Sequence, residues 1–302
     1  MKGRDAVLIA GPTASGKSAL AVALARMTGG PVINADSMQV YRQLRVLTAR
    51  PTEAEMGGVP HRLFGYVDAS EAYSVGRWLA DIANELEENS DGPPVIVGGT
   101  GLYFRALTEG LSRIQPIPNQ VRDKWRALFG RQGSEPLVKA LAEGDPQGEI
   151  PVDPQRLMRA IEVLEATGKP LRWWQSQADD APVLDPKRCL RLVIAPDRAW
   201  LHARIEARFD AMVVAGGWEE AEAFAALDLD PALPAIKAIG IRELVAAARD
   251  RTPREDAVRD AKTATRRYAK RQETWFRNQM ADWERIAPGA DPQAVWQARA
   301  CP

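Results

Sequence analysis

The chain has few of the residues that cross-link small folds through disulfides or bind metals. Its 302 residues include two cysteines, Cys189 and Cys301, and two histidines, His61 and His202. Two cysteines are too few for a disulfide framework, and no cysteine or histidine spacing matches a zinc module. These shortages exclude a disulfide-rich secreted scaffold and a zinc-finger protein.

Long hydrophobic runs are missing as well. No apolar stretch approaches roughly 18 residues, so we expect no membrane span. The first ten residues lead directly into an apolar run, which leaves no room for a cleaved signal. We therefore expect a cytoplasmic protein in a reducing compartment.

The chain also lacks net charge, because its 40 basic and 40 acidic residues cancel. This balance argues against gross attraction to nucleic acid, although a local basic patch remains compatible with it. The hydrophobic content of 45% is typical of a soluble globular protein. The length allows one large domain or two of ordinary size.

The strongest motif lies near the start of the chain. It matches the eight-position phosphate loop G-x-x-x-x-G-K-[ST], with an apolar run before it and a helix-forming run after it. Such a loop turns backbone N–H groups toward an anion. Lys17 would neutralise phosphate oxygens and Ser18 would ligate Mg²⁺, whereas the alternative is an ordinary glycine-rich turn. The motif is Gly11-Pro12-Thr13-Ala14-Ser15-Gly16-Lys17-Ser18.

The first third of the chain alternates strand and helix patterns. Strands are predicted at 6–10, 31–34 and 94–98, and a helix at 74–89 with Ser74 as its N-cap. This alternation predicts a parallel, doubly wound sheet that binds ligands at the carboxyl ends of its strands.

Two further features follow predicted strands and should meet the phosphate loop in one cleft. Asp36 is a candidate metal ligand or general base, or alternatively a helix N-cap. The turn Gly98-Gly99-Thr100-Gly101 would suit close approach by a substrate with Thr100 as a hydrogen-bonding group, or it is a plain tight turn.

The pattern changes between 113 and 187, where no convincing strand occurs. We predict an all-helical insertion domain at 113–187 within a core formed by 1–112 and 188–302, with a strand at 190–194 returning to the sheet. Helices in the insertion are predicted near 119–129, 135–143 and 154–166.

A long helix is predicted from Asp197 to about Ala215, where Gly216-Gly217 would stop it. It places Arg204 and Arg208 at i and i+4, on one face. This pair predicts either an anion site or a solvated face paired with Glu206 and Asp210.

A second charged helix is predicted to open at the capping box Thr252-Pro253-Arg254-Glu255 and to end near Met280. Eight positive and four negative residues give 254–277 a net charge of +4. Its basic face would suit an RNA backbone, or it is simply solvated. The other face of this helix should pack inward through Val258, Ala261, Tyr268 and Trp275.

The residues from 287 onward are expected to be loose.

Taken together, the motifs resemble those of bacterial tRNA dimethylallyltransferases (tRNA isopentenyltransferases), in the same order and over nearly the whole chain. The strings are GPTASGKSALA (11–21), NADSMQVYR (34–42), VPHRL (59–63), YSVGRW (73–78), VIVGGTGLY (95–103), DPQRLMRAIEVLEATGKPL (153–171), RIEARFDAM (204–212), KAIGIREL (237–244) and TRRYAKRQETWFRN (265–278).

The resemblance implies a P-loop NTPase-like parallel sheet with an all-helical insertion. It also implies Mg²⁺-dependent transfer of a dimethylallyl group from dimethylallyl diphosphate to N6 of adenosine 37 of tRNA. Residues 11–18 would hold the diphosphate, with Mg²⁺ on Ser18, and Asp36 would be the general base. We expect a monomer. The residues implied in catalysis are Asp36, Thr13, Lys17, Thr100, Arg204 and Arg208.

The same resemblance implies that the insertion grips the anticodon stem by phosphate contacts and shape, and that adenosine 37 leaves the loop stack. The residues implied in tRNA binding are Asp36, Ser37, Met38, Gln39, Thr100, Arg122, Gln155, Arg156, Leu157, Met158, Arg159, Lys237, Ala238, Ile239, Gly240, Ile241 and Arg242.

The chain departs from the family pattern at two places. A GTAKP-like string is replaced by Leu47-Thr48-Ala49-Arg50-Pro51, which keeps a basic residue as Arg50. The approach to the QRLxR motif is Ile150-Pro151-Val152-Asp153-Pro154. Three rival functions remain: a small-molecule kinase, an adenylate isopentenyltransferase and a non-enzymatic RNA-binding protein.

Overall fold

The computed structural model describes residues 5–88, 91–112, 114–177, 181–250 and 253–297. The chain divides into two compact units. The first, here called the sheet unit, combines Met1–Thr108 with Pro182–Pro302, and the second, the helical unit, is Glu109–Ala181. The sequence placed this helical unit at 113–187.

The sheet unit is built on six parallel strands in the order β3-β2-β4-β1-β5-β6. The central strand β1 pairs with β4 on one side and β5 on the other, as the alternating pattern predicts. The strands are β1 (Ala6–Ala10), β2 (Val32–Asn34), β3 (His61–Arg62), β4 (Val95–Gly98), β5 (Cys189–Ile194) and β6 (Glu284–Ile286).

Helices lie along both parts of the chain. In the described residues they are α1 (Lys17–Thr28), α2 (Glu53–Met56), α3 (Val75–Glu88), α4 (Gly101–Glu109), α5 (Asn119–Gln132), α6 (Glu135–Gly144), α7 (Pro154–Thr167), α8 (Leu171–Ser176), α9 (Arg198–Met212), α10 (Trp218–Ala225), α11 (Ile241–Asp250), α12 (Arg254–Gln279) and α13 (Pro292–Gln297). Within the described part of the chain, no helix is long and apolar enough to cross a membrane.

The central strand is buried on both faces of the sheet. Successive side chains of a strand point to opposite faces, so Leu8 lies in one core cluster while Val7 and Ile9 lie in the other. The cluster around Leu8 includes buried residues of α3, α4 and α12, and the cluster around Val7 includes residues of α1. This two-faced burial explains why the strand is a continuous apolar run.

Helix α3 forms as its sequence predicts. The Ser74 hydroxyl accepts a hydrogen bond from the Arg77 N–H at 3.2 Å, which caps the helix start. Trp78 and Ile82, four residues apart, are fully buried against the sheet. The Trp78 indole N–H also donates to the Asn34 carbonyl at 2.9 Å and fixes the helix against the end of β2.

The helix that Asp197 opens is interrupted at Gly216, as predicted. Asp197 caps α9 by accepting from the N–H groups of Ala199 and Trp200. After Met212 the chain passes through Val213–Gly217, and a kink at Gly216 separates α9 from α10, which begins at Trp218. Gly216 takes a φ of 97°, outside the helical range, so the glycine ends the first helix there.

The prediction that the residues from 287 onward are loose is wrong. Asp291 accepts hydrogen bonds from the N–H groups of Gln293 and Ala294 and so starts α13. Val295 and Trp296 of this helix pack on the core cluster that contains α1. The capping residue Thr252 lies outside the described residues, and α12 begins at Arg254.

The helical unit has a core of its own. Trp125 of α5, Leu137 and Leu141 of α6, and Leu157 and Ile161 of α7 are buried together. The carboxylate of Asp153 caps α7 by accepting from the Arg156 N–H at 3.0 Å. The short helix α8 has no counterpart in the sequence prediction.

Candidate active site

The phosphate loop joins β1 to α1 in a conformation that only a few residue types adopt readily. Ala14 and Gly16 have φ angles of 63° and 88°, in the left-handed region that favours glycine. The Lys17 ammonium donates to the Pro12 carbonyl at 2.9 Å and closes the loop on itself. No heavy atom of the described chain lies within 4 Å of the point where a Gly16 side chain would start. The loop surface is therefore open at Gly16.

Burial lowers the pKa of Lys17 from its ordinary value of 10.5 to about 8. The neighbouring Asp36 carboxylate raises the pKa of Lys17 and the Arg208 guanidinium lowers it. Burial penalises a charged group unless an opposite charge accompanies it. This ammonium is therefore suited to bind an anion at the loop.

Arg204 and Arg208 both face the phosphate-loop side of the sheet unit. Arg204 Nε donates to the Ala14 carbonyl at 3.2 Å, and an Arg208 terminal nitrogen donates to the Ala49 carbonyl at 3.4 Å. Burial lowers the pKa of Arg208, and Glu55 and Asp36 raise it while Arg204 lowers it. The two guanidiniums thus lie close enough to act on the same anion.

The alternative for this arginine pair, a solvated face paired with Glu206 and Asp210, does not match the structure. Glu206 pairs instead with Lys262 at 3.4 Å and with Arg266 of α12. Asp210 pairs with Lys262 at 2.6 Å. The acidic residues of α9 therefore hold α12, while Arg204 contacts the phosphate loop at Ala14 and Arg208 contacts Ala49.

Asp36 lies where β2 ends, in a turn rather than at a helix start. Its Oδ1 accepts from the Met38 N–H at 2.9 Å, and its own N–H donates to Asn34 Oδ1 at 2.8 Å. Asn34 is fully buried and also donates to the Leu63 carbonyl at 3.0 Å. Because 37–40 are not helical, the N-cap interpretation of Asp36 is wrong. The turn leaves Oδ2 to face the turn that follows β4.

The glycine-rich turn after β4 is closely packed by protein atoms. Side chains on Gly98 and Gly101 would overlap with Ala35 and with the Trp275 ring, respectively. A side-chain carbon on Gly99 would lie 3.2 Å from Asp36 Oδ2. The glycines therefore allow close approach by the protein itself, rather than the backbone exposure expected from the sequence.

Thr100 connects this turn to the segment that carries Asp36. Its hydroxyl accepts from the Ser37 N–H at 3.0 Å and lies 3.3 Å from the Ser37 hydroxyl. Its own N–H donates to the Ala35 carbonyl at 3.2 Å. Thr100 thus holds the backbone on both sides of Asp36.

Sequence reasoning missed Gln272, which lies between the two glycine-rich turns. Its Oε1 accepts from the Thr13 N–H at 2.9 Å, and its Nε2 donates to the Gly99 carbonyl at 2.8 Å. The side chain is buried, with 5% of the residue exposed. The available signal was a polar residue one turn from Tyr268 and Phe276 on the inward face of α12.

The loop that follows Asp36 is tied down by two charged residues. Arg50, at the departure from the family pattern, donates to the carbonyls of Tyr41 and Arg42 at 3.1 and 3.4 Å. The Glu220 carboxylate of α10 accepts from three consecutive backbone N–H groups at 2.8 to 2.9 Å. Nothing in the sequence pattern of Glu220 indicated this role. The three N–H groups belong to Arg45, Val46 and Leu47.

The predicted tRNA-binding residues near Asp36 differ in their surroundings. Gln39 uses its side-chain amide within the protein, where Nε2 donates to the Thr48 and Ala49 carbonyls at 2.8 and 3.1 Å. Met38 packs partly on the core, and Ser37 is half-buried. The role of these residues in tRNA binding remains a prediction.

The predicted tRNA-binding segment 237–242 also combines exposed and buried side chains. Lys237 and Arg242 are exposed, and Ile239 is half-buried. Ala238 and Ile241 are each 1% exposed in the core. Only the exposed side chains of this segment can reach a partner without rearrangement. Gly240, with φ 86°, would place a side-chain carbon 2.9 Å from the Phe209 ring.

The predicted tRNA-binding residues of the helical unit show the same division. Gln155 and Arg156 are exposed and Met158 is half-buried, while Leu157 lies in the core of the unit. Burial lowers the pKa of Arg159; Glu162 raises it and Arg122 lowers it further. Arg122 and Arg159 thus lie near each other in the helical unit, and their role in tRNA binding stays a prediction.

The basic residues of α12 divide into two groups. In the first group, Lys262 and Arg266 pair with α9, Arg254 pairs with Glu222 of α10 at 3.4 Å, and Arg259 pairs with Asp256 of α12 itself at 2.6 Å. A second group has exposed side chains and, in the described part of the chain, no carboxylate within 4.0 Å. This second group consists of Arg267, Lys270, Arg271 and Arg277.

The described residues contain no cluster of three acidic, histidine or cysteine side chains that would hold a metal unaided. Ser18 lies exposed in the first turn of α1, beside Lys17. Mg²⁺ in phosphate sites is held by few protein ligands together with phosphate oxygens and water. A single hard hydroxyl oxygen at this position fits that arrangement.

The family model described as IPP transferase matches residues 39–279. The chain belongs to the IPP transferase family. A curated tRNA dimethylallyltransferase from Chelativorans sp. (strain BNC1) is 50% identical over 94% of this chain and 99% of its own length. These enzymes are prenyltransferases.

Two solved structures resemble the chain over most of its length. The tRNA isopentenylpyrophosphate transferase of Bacillus halodurans is 31% identical, with a TM-score of 0.69, over 98% of this chain and 94% of that one. A eukaryotic dimethylallyltransferase described as acting on tRNA is 26% identical, with a TM-score of 0.76, over 98% and 76%. The fold of the sheet unit is accordingly P-loop NTPase-like, as predicted.

Proposed function

We propose that this protein transfers the dimethylallyl group of dimethylallyl diphosphate to N6 of adenosine 37 in the anticodon loop of tRNA. One observation carries the proposal. Asp36 follows β2 and Lys17 follows β1, and the carboxyl ends of these parallel strands share one edge of the sheet, where the Asp36 carboxylate raises the pKa of both Lys17 and Arg208. The name of the Chelativorans relative supports the same reaction.

Asp36 is the proposed general base. The exocyclic amine of adenine is a poor nucleophile, because its lone pair is delocalised into the ring, and a carboxylate that accepts its proton assists the attack. The bond from N6 to the allylic carbon forms, the carbon–oxygen bond to diphosphate breaks, and the N6 proton passes to Asp36. The Met38 N–H occupies Oδ1, which leaves Oδ2 for the proton.

The phosphate loop and its cations stabilise the leaving group. Charge develops on the bridging oxygen as the allylic carbon becomes cationic, and fixed positive groups lower the energy of that state. Lys17, Arg204 and Arg208 supply them from one side of the sheet unit. Mg²⁺ held by Ser18 and the phosphate oxygens would add a Lewis acid that neutralises the departing diphosphate.

Recognition of tRNA is proposed for both units. Arg122 and Arg159 of the helical unit lie near enough to repel each other and would be relieved by an RNA phosphate between them, and Arg242 is exposed in the sheet unit. Adenosine 37 would have to leave the loop stack to reach Asp36, which costs a few kcal/mol. Phosphate contacts at separate sites would offset that cost.

We further propose that the protein acts as a monomer in the cytoplasm. Every residue proposed for donor binding and proton transfer is supplied by one sheet unit. The proposed acceptor, unmodified tRNA, is a cytoplasmic molecule. Sedimentation of the active protein with and without tRNA tests the monomer.

Incubation with radiolabelled dimethylallyl diphosphate and Mg²⁺, with unmodified tRNA and AMP as competing acceptors, tests the function. We expect label in tRNA, and none when adenosine 37 is changed to guanosine. Label in AMP alone would identify an adenylate isopentenyltransferase instead. Label in neither acceptor, together with ATP turnover, would favour the small-molecule kinase.

Replacement of the base tests the mechanism. We expect Asp36→Ala to lower turnover by about 10²-fold or more, with tRNA binding largely intact. Near-normal turnover would remove Asp36 from proton transfer. Filter binding of tRNA to the same variant separates lost chemistry from lost binding.

The tRNA contacts are tested by salt dependence. We expect Arg159→Ala and Arg242→Ala each to weaken tRNA binding and to reduce its dependence on salt concentration, because each lost phosphate contact lowers the salt slope by about 1. Lys139→Ala, on an exposed position of α6, is the matched control. An unchanged slope would remove the residue from the RNA contacts.

A further inference from the structure

Gln272 lies at the meeting point of three segments that come from distant parts of the sheet unit. It projects from α12, contacts Thr13 of the phosphate loop, and contacts Gly99 of the turn after β4. The two hydrogen bonds use both ends of its amide, because Oε1 accepts one and Nε2 donates the other. No other residue type of this length can do both without a change of protonation.

The hydrogen bonds continue from Gln272 toward Asp36. Gly99 is followed by Thr100, whose hydroxyl accepts from the Ser37 N–H at 3.0 Å. Ser37 is the neighbour of Asp36 in the chain. A connected path therefore runs from the loop proposed for diphosphate to the turn that carries the base.

Close packing makes this path rigid. A side-chain carbon on Gly99 would overlap with Gln272 Nε2 and lie 3.2 Å from Asp36 Oδ2. The amide and the carboxylate therefore approach the same side of Gly99. Buried hydrogen bonds with both partners in place favour one geometry, because leaving a buried polar group unpaired is unfavourable.

The surroundings of Gln272 exclude a role in surface contacts. Tyr268 lies one turn earlier on α12; burial raises the pKa of its hydroxyl and Asp36 raises it further, while a hydrogen bond with the Gln272 side chain lowers it. Trp275 packs on Gly101. The inward face of α12 therefore packs on the phosphate loop and on the turn after β4 rather than facing solvent.

We propose that Gln272 is a positioning residue that sets the spacing between the phosphate loop and the segment that carries Asp36. The proposal rests on the proposed function. Transfer between two bound substrates requires the reacting atoms to be held about 3–3.5 Å apart, and a displacement of 1 Å can lower the rate by about 10²-fold. Gln272 acts through the two backbone groups that it binds, the Thr13 N–H and the Gly99 carbonyl, and not by contact with either substrate.

Gln272→Met removes both hydrogen bonds with little change in side-chain length. We expect kcat for transfer to fall by about 10²-fold, because alignment is lost. The dissociation constants of dimethylallyl diphosphate and of tRNA, each measured alone, should change by less than about threefold, because each binding surface is intact. Gln43→Met is the matched control: Gln43 bridges Asp68 and the Ala69 N–H at 2.6 and 3.0 Å, away from Asp36 and the phosphate loop, and its loss should leave kcat unchanged.

Gln272→Glu provides a readout that a merely structural role would not move. A neutral carboxyl can accept from the Thr13 N–H and donate to the Gly99 carbonyl, whereas a carboxylate cannot donate. Burial and the neighbouring Asp36 raise the pKa of the introduced carboxyl. The ratio of variant to wild-type kcat should therefore rise as pH falls.

The outcomes separate this proposal from the function on which it rests. Transfer by the wild type, with a flat pH ratio for Gln272→Glu or an unchanged kcat for Gln272→Met, would overturn the positioning role alone. An equal loss in Gln43→Met would overturn it as well. Absence of transfer by the wild type would overturn the proposed function first. If Gln272→Met fails to fold, as judged by circular dichroism, the pH ratio of Gln272→Glu decides.

Discussion

Two glycine-rich turns follow the neighbouring strands β1 and β4, and they use glycine for opposite reasons. In the phosphate loop, Gly16 takes a φ of 88° and the space beside it is open. In the turn after β4, Gly98 and Gly101 have no positive φ, and protein atoms fill the space where their side chains would lie. One turn keeps room for a ligand, while the other fixes the protein around it.

The substitution Gly98→Ala is expected to give the largest effect and tests this difference between the two turns most directly. The new carbon would overlap with the backbone of Ala35, which is part of the core and cannot move freely. We expect the free energy of unfolding to fall by about 4 kcal/mol or more, which is the range of severe core disruption. Urea unfolding followed by circular dichroism measures it, and a loss below about 1 kcal/mol would contradict the packing described.

The phosphate loop should respond in activity rather than in stability. Lys17→Met removes a buried ammonium, and we expect kcat/KM for transfer to fall by about 10²- to 10³-fold, as for loss of a group that stabilises a leaving-group charge. Urea unfolding should show no loss of stability, because burial disfavours the charge that is removed. Lys139→Met at an exposed position is the control, and a normal kcat/KM in Lys17→Met would refute the role.

Gly16→Ala gives a smaller effect than Gly98→Ala, since only backbone strain opposes the new side chain. An L-residue other than glycine at this φ costs roughly 1–2 kcal/mol. We expect the free energy of unfolding to fall by that amount. An effect as large as that of Gly98→Ala would show that the two turns are built alike.

The smallest expected effect is a pH dependence of donor binding. The pKa of Lys17 is about 8 in the folded protein, below its ordinary 10.5, so the ammonium loses its proton as pH rises through 8. The dissociation constant of dimethylallyl diphosphate should then increase by up to about tenfold per pH unit. Calorimetric titration measures it, and Lys17→Arg, which stays charged, should flatten the profile.

The lowered pKa of Lys17 affects folding stability in the direction opposite to its effect on donor affinity. Between pH 8 and 10.5 the unfolded chain retains a proton that the folded chain has released. The contribution of Lys17 to folding therefore becomes more favourable as pH rises through that window. Donor affinity and folding stability thus respond to Lys17 in opposite directions.

Local patterns predicted most of the sheet unit. The apolar runs that form β1, β4 and β5, the cap at Ser74 and the phosphate loop are all properties of a few adjacent residues. The helix stop at Gly216 was predictable for the same reason, because a glycine with a positive φ commonly ends a helix. Helix α13 was missed although Asp291-Pro292 is a local signal for a helix start; its Val295 and Trp296 also pack on the cluster that contains α1.

Residues of the candidate site were predictable where a single sequence motif contains both the residue and the pattern that indicates its role. Lys17 and Asp36 follow strands within recognisable strings. Gln272 and Glu220 act on backbone groups more than 170 positions away in the chain, so no local pattern reveals their partners. Only the fold brings those groups together.

The pairing of β1 with β5 determines the order in which the protein can assemble. Ala6 lies opposite Cys189 in the central ladder, and the whole helical unit is inserted between them in the chain. A ribosome must therefore complete the helical unit before it delivers β5. During that interval β1 has one flank without its partner strand, and such exposed edges promote aggregation. The helical unit, whose core forms from residues near one another in sequence, can fold while the sheet is still incomplete.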